Sequence, residues 1–398
     1  MSKKTSFRFK KAVGQLHLWL GLFSGLIVVI LGITGSIYAF IDEIKPVVYH
    51  DRFFVEDQDG QQTIALDSLL LVAQKGLGDN YPVKYLQVQG DSDRTYSFTT
   101  YEADDSEVLT YFGEVEDNRT AFVDQYSGKV LDIENTKLEF FRLVLGIHWS
   151  LLLVDRYGQN IIGIATLIFV IILISGIILW WPKNKSATKQ RVWFRWKPTT
   201  KWKRKNYDLH NILGFYFSFI FLILAITGLM WAFEWMDDGV REIAGFETVN
   251  DESQKRIYGK KEIDTRQPLQ GILDYAKEIS PDSRDIFIGL PEEGSSEALM
   301  FVTEQSYARN KVIFDISTGQ IVEKDFWNDR NTAQKIVDLQ YEIHVGSILG
   351  LPGKILAFFA GLIAASLPIT GFYIWWGRRK KRKRSKKPLK GSTDFSLS

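Results

Sequence analysis

Leu16-His17-Leu18-Trp19-Leu20-Gly21 and Leu209-His210-Asn211-Ile212-Leu213-Gly214 open two apolar runs of the same design. Each histidine is followed seventeen residues later by a Thr-Gly pair, Thr34-Gly35 and Thr227-Gly228, and each run closes on Ala-Phe, at Ala39-Phe40 and Ala232-Phe233. Two further runs repeat the plan with other endings. His148 precedes Ser175-Gly176 and Trp180-Trp181, and His344 precedes Thr370-Gly371 and Trp375-Trp376. Four of the five histidines therefore hold matching places in a repeated pattern, and only His50 falls outside it. Imidazole at a membrane boundary is costly unless something uses it, so a repeated set of four points to function.

Each run holds about 20 or more predominantly apolar residues, enough to cross a ~30 Å hydrocarbon core. Tryptophan and tyrosine gather at the ends, as at interfacial belts. The predicted fold is a membrane α-helical bundle of four transmembrane helices carrying two exported α+β modules, the whole a tandem internal duplication. In order, the expected segments are an N-terminal piece 1–13, a first span 14–41, a first module 42–147, and an interfacial helix with the second span 148–181. A basic loop 182–208, a third span 209–235 and a second module 236–343 follow. An interfacial helix with the fourth span 344–376 and a basic tail 377–398 complete the chain. The first span has the basic start and apolar body of a signal peptide. Its apolar body is too long for one, however, and cleavage would remove a histidine whose twin is retained, so it is read as a retained span.

Charge gives the orientation. The net charge of +2 conceals three basic pieces: five Lys/Arg and no acid in the first eleven residues, ten against one in 182–209, and ten against one in 377–398. Residues 42–147 instead carry nine bases against 21 acids, and 236–343 carry thirteen against 22. The positive-inside rule puts the basic pieces, and both termini, in the cytoplasm and the acidic ones across the membrane. The run from Arg378 to Arg384 is then a topology anchor against anionic lipid, and no nucleic-acid partner is expected.

The exported segments repeat too. Residues 66–75 and 268–278 have apolar residues at helical spacing. Each is followed by β-like runs, 83–88 and 96–100 in the first copy, 286–288 and 298–302 in the second. Phe122-Val123-Asp124-Gln125-Tyr126-Ser127-Gly128-Lys129-Val130 parallels Ile313-Phe314-Asp315-Ile316-Ser317-Thr318-Gly319-Gln320-Ile321. An Asp, polar residues and a Gly between β-branched flanks predict a tight turn joining two strands.

The chain contains no cysteine. That excludes disulfides, thiolate zinc sites, iron–sulfur ligation and covalent c-type haem attachment. G-x-G-x-x-G, P-loop, G-x-S-x-G and H-E-x-x-H motifs are also missing from the sequence. Paired carboxylates such as Asp104-Asp105, Asp237-Asp238 and Glu292-Glu293 sit in solvated-loop contexts.

With these marks on it, the chain resembles the PepSY-associated transmembrane proteins, a family that includes iron-regulated membrane proteins and ferric-siderophore reductases of the bacterial inner membrane. The His17 and His210 openings, the D-x-x-x-G turns, the Ile147-His148 and Ile343-His344 segments and the Gly176 to Pro182 ending carry the resemblance over about residues 8–380. For the reductase members it implies b-type haem held by membrane histidines and electron export to a periplasmic ferric chelate. The expectation is thus a haem-dependent transmembrane ferric-siderophore reductase with two haem b groups. Its acceptor would be a ferric siderophore or other ferric chelate. Its donor would be a separate cytoplasmic reductase or membrane quinol, because the loop 182–208 is too short for a flavin or nicotinamide domain. The alternative is a non-enzymatic membrane protein whose PepSY modules bind or restrain a periplasmic partner.

Topology sorts the histidines. His17 and His210 enter from the basic side, while His148 and His344 lie on the acidic side. A parallel duplication sets equivalent residues at equal depth, so His17 pairs with His210 and His148 with His344, each pair offering two imidazoles to one haem iron. Pairing His17 with His148 is disfavoured, because ~17 residues of helix already rise ~25 Å. By depth, Thr34-Gly35 and Thr227-Gly228 fall near the second pair, Ser175-Gly176 and Thr370-Gly371 near the first. Gly21 and Gly214 lie one turn beyond their histidines on the same helix face, where glycine admits either a flat macrocycle or close helix packing. Arg156 and Lys354 are the candidate cations for the propionates of the haem at His148 and His344, or else interface anchors. Zinc or copper is the other metal reading, but ligands split between two membrane faces cannot form one tetrahedral site.

Overall fold

The computed structural model describes residues 3–56, 61–104, 107–182, 184–245, 258–303 and 307–385. The end of the basic tail, from residue 386, and Asp105 of the acidic pair lie outside the described residues. The chain divides into two units, each drawn from separated stretches: Met1–Ile33, Ile164–Ala225 and Phe359–Ser398 in one, Thr34–Gly163 and Ile226–Phe358 in the other.

Among the described residues, Arg8–Tyr38, Asp155–Trp180 and Ser347–Arg379 are helices long and apolar enough to cross a membrane. A fourth span requires Trp202–Tyr216 and Ser218–Ala232 to count as one, and these two helices are bent by 61°. The continuous third span expected over 209–235 is therefore broken at Phe217. The first helix ends at Tyr216 and the second begins at Ser218, so the direction changes at Phe217. The first unit wears its apolar side chains outward, with Phe23 78 %, Leu26 72 % and Phe219 71 % exposed. An apolar exterior of this extent suits lipid rather than water.

Small residues let the helices of this unit meet closely. A Cβ built on Gly32 would lie 2.4 Å from Gly361 O and 3.0 Å from Ala365 Cβ, and one on Gly25 would lie 3.1 Å from Pro368 Cβ. The first and last long helices thus touch backbone to backbone. Van der Waals packing of small residues drives such contacts where lipid removes the hydrophobic incentive.

Among the described residues, the second unit contains one antiparallel sheet of nine strands: β1 (Val83–Gln89), β2 (Tyr96–Ala103), β3 (Val115–Val123), β4 (Val130–Glu134), β5 (Tyr258–Glu262), β6 (Asp285–Gly289), β7 (Glu297–Thr303), β8 (Arg309–Asp315) and β9 (Gln320–Asp325). Their order is β4-β3-β2-β1-β6-β7-β8-β9-β5. The two expected α+β modules therefore share a sheet. β1 pairs with β6, with Leu86 opposite Ile288 and Val88 opposite Ile286. Left apart, each of these strands would present an unpaired hydrogen-bonding edge. Alternation along the strands buries Leu86, Phe98, Ile288, Met300, Val312 and Phe314 on one side. Leu66, Leu69 and Ala73 of the helix Leu66–Leu77, with Leu269, Ile272 and Ala276 of the helix Pro268–Ile279, join them in a single core.

The two core helices cap each other. Asp67 accepts from the Gln270 N–H at 2.9 Å and the Leu269 N–H at 3.3 Å, in the first turn of the second helix, while Gln270 Oε1 accepts from the Leu66 N–H at 2.9 Å. A carboxylate at a helix start satisfies orphan donors and faces the positive end of the helix dipole. Asp67→Ala is expected to cost ~1 kcal/mol, read as a lower midpoint in chemical denaturation of the purified protein, whereas Asp67→Asn keeps most of the stability.

Both D-x-x-x-G segments form turns between paired strands. Asp124 Oδ1 accepts from the Tyr126 N–H at 2.8 Å, and Asp315 Oδ1 from the Ser317 N–H at 2.9 Å. Gly128 and Gly319 close the turns at φ +71° and +76°, a region that favours glycine. The Ser317 hydroxyl, helped by backbone N–H groups, lowers the Asp315 carboxyl to about 2. The stabilisation that this contributes is present above the ordinary carboxylate pKa and is lost only as pH falls toward that value.

Candidate functional site

Within the helical unit, His17 and His210 face each other with ring centroids 6.3 Å apart and planes at 90°. Each is held from behind in the same way. His17 Nδ1 lies 2.9 Å from Ser175 Oγ and 3.2 Å from Ile172 O. His210 Nδ1 lies 3.0 Å from Thr370 Oγ1 and 3.1 Å from Leu367 O. A carbonyl oxygen only accepts, so Nδ1 carries the proton in both rings. The hydroxyls donate onward to helix carbonyls, Ser175 to Ile172 O and Thr370 to Ser366 O, each at 2.9 Å, and so accept from the imidazoles. Nε2 is left with the lone pair. This is the tautomer of a metal-ligating histidine whose other ring N–H is fixed by a second hydrogen bond.

The second pair lies wholly in the other unit. His148, on the helix Phe140–Ser150, and His344, on the helix Gln340–Val345, have centroids 6.2 Å apart. Thr34 Oγ1 meets His148 Nδ1 at 2.9 Å and Thr227 Oγ1 meets His344 Nδ1 at 2.8 Å. Trp231 stands with its ring 5.1 Å from that of His344, and Trp149 lies 6.1 Å from Trp231. Glu342, two residues before His344, is buried, and burial raises its pKa.

The glycine after each hydroxyl residue completes the cradle. A Cβ on Gly35 would fall 2.9 Å from His148 Cε1, on Gly371 3.2 Å from His210 Cε1, on Gly176 3.3 Å from His17 Cε1, and on Gly228 3.5 Å from His344 Cε1. The Ser/Thr-Gly pair thus recurs beside all four rings: the hydroxyl orients each ring, and at Gly35, Gly176 and Gly371 the missing side chain also makes room for it, whereas at Gly228 a Cβ would make ordinary contact. Sequence reading placed these pairs near the histidines by depth but gave the hydroxyls no task. Their recurrence beside every patterned histidine was the available signal.

His17 and His210 line a cavity of about 510 Å³, within the range of cofactor pockets. Gly21 and Gly214 line it as well. A Cβ on Gly21 would meet nothing within 4 Å, and one on Gly214 only Leu367 at 3.7 Å, so both glycines keep space open rather than packing helices together. Leu18, Leu22, Val28, Phe169 and Ile172 supply apolar wall.

The cations expected beside the second pair have other engagements. Lys354 is buried, with Nζ 3.0 Å from Asp42 Oδ2 and 2.9 Å from Glu43 Oε1, so its charge is already paired with two exposed carboxylates. Arg156 reaches Val108 O at 3.3 Å and lies over the Tyr157 ring. His50 is exposed, stacked on Phe54 at 4.7 Å. Among the described residues no three His, Asp or Glu side chains gather as a metal site.

A model of the PepSY-associated TM region matches residues 15–378, nearly the whole chain. No curated protein matches the sequence.

Proposed function

The chain belongs to the PepSY-associated transmembrane family, and we propose that it is a dihaem oxidoreductase of the bacterial inner membrane that reduces a periplasmic ferric chelate such as a ferric siderophore. His17 with His210 would hold one haem b, and His148 with His344 the other. The observation that carries this reading is the separation of the paired rings. Two imidazoles bound to one metal between them, at about 2.0–2.1 Å per bond and with each ring centre about 1.1 Å behind its nitrogen, have centroids about 6.3 Å apart. The observed distances are 6.3 and 6.2 Å. Two protein ligands per site leave the remaining coordination to a macrocycle, which fits a donor set of imidazole pairs and no thiolate.

Bound there, haem b supplies a one-electron Fe(III)/Fe(II) couple. The protein's part is to fix ligand tautomers through the Ser/Thr hydroxyls and to set apolar side chains around the first site, both of which tune potential. Each ferric ion reduced takes one electron, given by a separate cytoplasmic reductase or by membrane quinol. The product Fe(II) leaves because common siderophores hold it far less tightly than Fe(III).

The charge segregation supports cytoplasmic termini and a cytoplasmic location for the first pair. A tandem duplication is supported by the four like cradles and by a sheet whose two strand sets, β1–β4 and β6–β9, meet at β1 and β6. In the test, membranes from haem-sufficient cells are solubilised and the protein purified. A red preparation with a low-spin b-type spectrum after dithionite, quantified at two haems per chain, is expected. A colourless preparation would favour the non-enzymatic reading, in which the acidic sheet domain binds a periplasmic partner.

A further inference from the structure

The cavity lined by His17 and His210 also has basic lining residues. Lys10, Lys11 and Arg378 line it together with the apolar side chains. Lys10 stands seven residues before His17 on the first helix, and Arg378 seven residues after Gly371, the glycine beneath His210, on the last. Two helical turns, ~10 Å along each axis, thus separate the cations from the imidazoles on both helices. That distance is within the combined reach of a lysine or arginine side chain and an acid arm on a ring centred between the histidines.

These cations have almost no counter-charge in their own unit. Across its described residues the single carboxylate is Asp208. Asp208 is already taken by Arg204 Nε at 2.9 Å and Trp196 Nε1 at 3.2 Å. Lys10 Nζ has only a long contact, 3.4 Å, to Trp181 O. A cavity with apolar walls, two imidazoles and, about two helical turns from them, three cations suits an amphipathic ligand with an apolar body and carboxylates at one edge.

We propose that Lys10, Lys11 and Arg378 form a carboxylate clamp that binds the two propionates of the haem held by His17 and His210 and sets its orientation, acids toward the basic face. The clamp rests on the haem reading above. Arg378 can take a carboxylate in two parallel hydrogen bonds, while the lysines act as point charges. The same carboxylate-binding chemistry would serve an anionic lipid phosphate, and the experiment separates the two sources.

The haem-depleted full-length protein, in neutral detergent, is titrated with haem b and with its dimethyl ester, which keeps the ring and iron but lacks the acids. Wild type should bind the free acid at least ~10-fold more tightly than the ester at one of its two sites, the scale expected when a charge-assisted hydrogen bond is lost. The Lys10→Gln/Lys11→Gln/Arg378→Gln variant should lose that preference, while its affinity for the ester and its low-spin spectrum stay unchanged. The His148–His344 site is common to both proteins, so the difference between them reports the clamp. Equal binding of acid and ester by wild type, or a preference surviving in the triple variant, overturns the proposal while leaving the haem reading intact. Absence of any low-spin spectrum in wild type overturns both. Repeating the titration in phosphatidylglycerol and in phosphatidylcholine nanodiscs adds the lipid arm. If the triple substitution changes only the phosphatidylglycerol dependence, the cations serve lipid and the clamp is wrong.

Discussion

His17→Ala and His210→Ala should each remove the same haem, halving haem per chain and leaving the other low-spin signal unchanged. The double variant should lose no more than either single one. The two rings lie with centroids 6.3 Å apart, and a haem iron shared between them would keep its low-spin state only while both imidazoles remained. Non-additivity is the signature of two residues acting as one unit. His148→Ala and His344→Ala should behave likewise on the complementary haem. Redox titration followed at the reduced-haem absorption band, with electron paramagnetic resonance of the oxidised protein, distinguishes the two centres. If His17→Ala and His148→Ala abolish one common signal, the pairing is wrong. If every variant retains both, these imidazoles are not ligands at all. Ferric-chelate reduction by membranes given a donor should fall to background in all four, because an electron path with one missing centre is interrupted.

The residues that announce this arrangement are local ones. Spacing alone relates His17 to His210, and a Ser/Thr-Gly pair marks each cradle. Alternating apolar residues and the Asp-to-Gly turns likewise locate strands such as β1, β2, β7 and the β8–β9 hairpin. What sequence could not supply depends on distant partners. Nothing in Val83–Gln89 specifies that its free edge meets Asp285–Gly289, about two hundred residues on, to make one sheet. The 61° bend between Trp202–Tyr216 and Ser218–Ala232 is likewise hidden from hydropathy, by which the two helices together pass as one span. Lys354 reads in sequence as a propionate cation or an interface anchor, because its partners Asp42 and Glu43 lie more than three hundred residues away. Lys10, Lys11 and Arg378 were legible only as topology anchors. Their presence around one cavity follows from how the first and last helices pack with two others, and charge counting along the chain cannot reveal it.

Gly35→Ala should strip the haem of the second pair, whereas Gly228→Ala should leave it in place. Both glycines serve the same proposed iron, one beneath each ligand, so site chemistry, burial and depth are shared and only the clearance differs. A methyl added at position 35 would stand 2.9 Å from His148 Cε1, closer than carbon atoms tolerate, while one at position 228 would make ordinary contact at 3.5 Å from His344 Cε1. The His148 ring cannot retreat freely, because Thr34 Oγ1 holds Nδ1 at 2.9 Å. A shift of several tenths of an ångström therefore passes to the metal bond, where displacements beyond about ±0.2 Å are poorly tolerated. Helix stability works in the opposite direction: each Gly→Ala change favours an α-helix by up to ~1 kcal/mol, so a loss at position 35 cannot be blamed on a weakened helix. Gly176→Ala and Gly371→Ala, at 3.3 and 3.2 Å from their rings, should give intermediate loss at the first pair only. Haem content by pyridine haemochromogen, resolved between centres by paramagnetic resonance, reads the series. Equal loss from Gly35→Ala and Gly228→Ala, or greater loss from the latter, would mean that these glycines serve helix packing and do not seat the imidazoles.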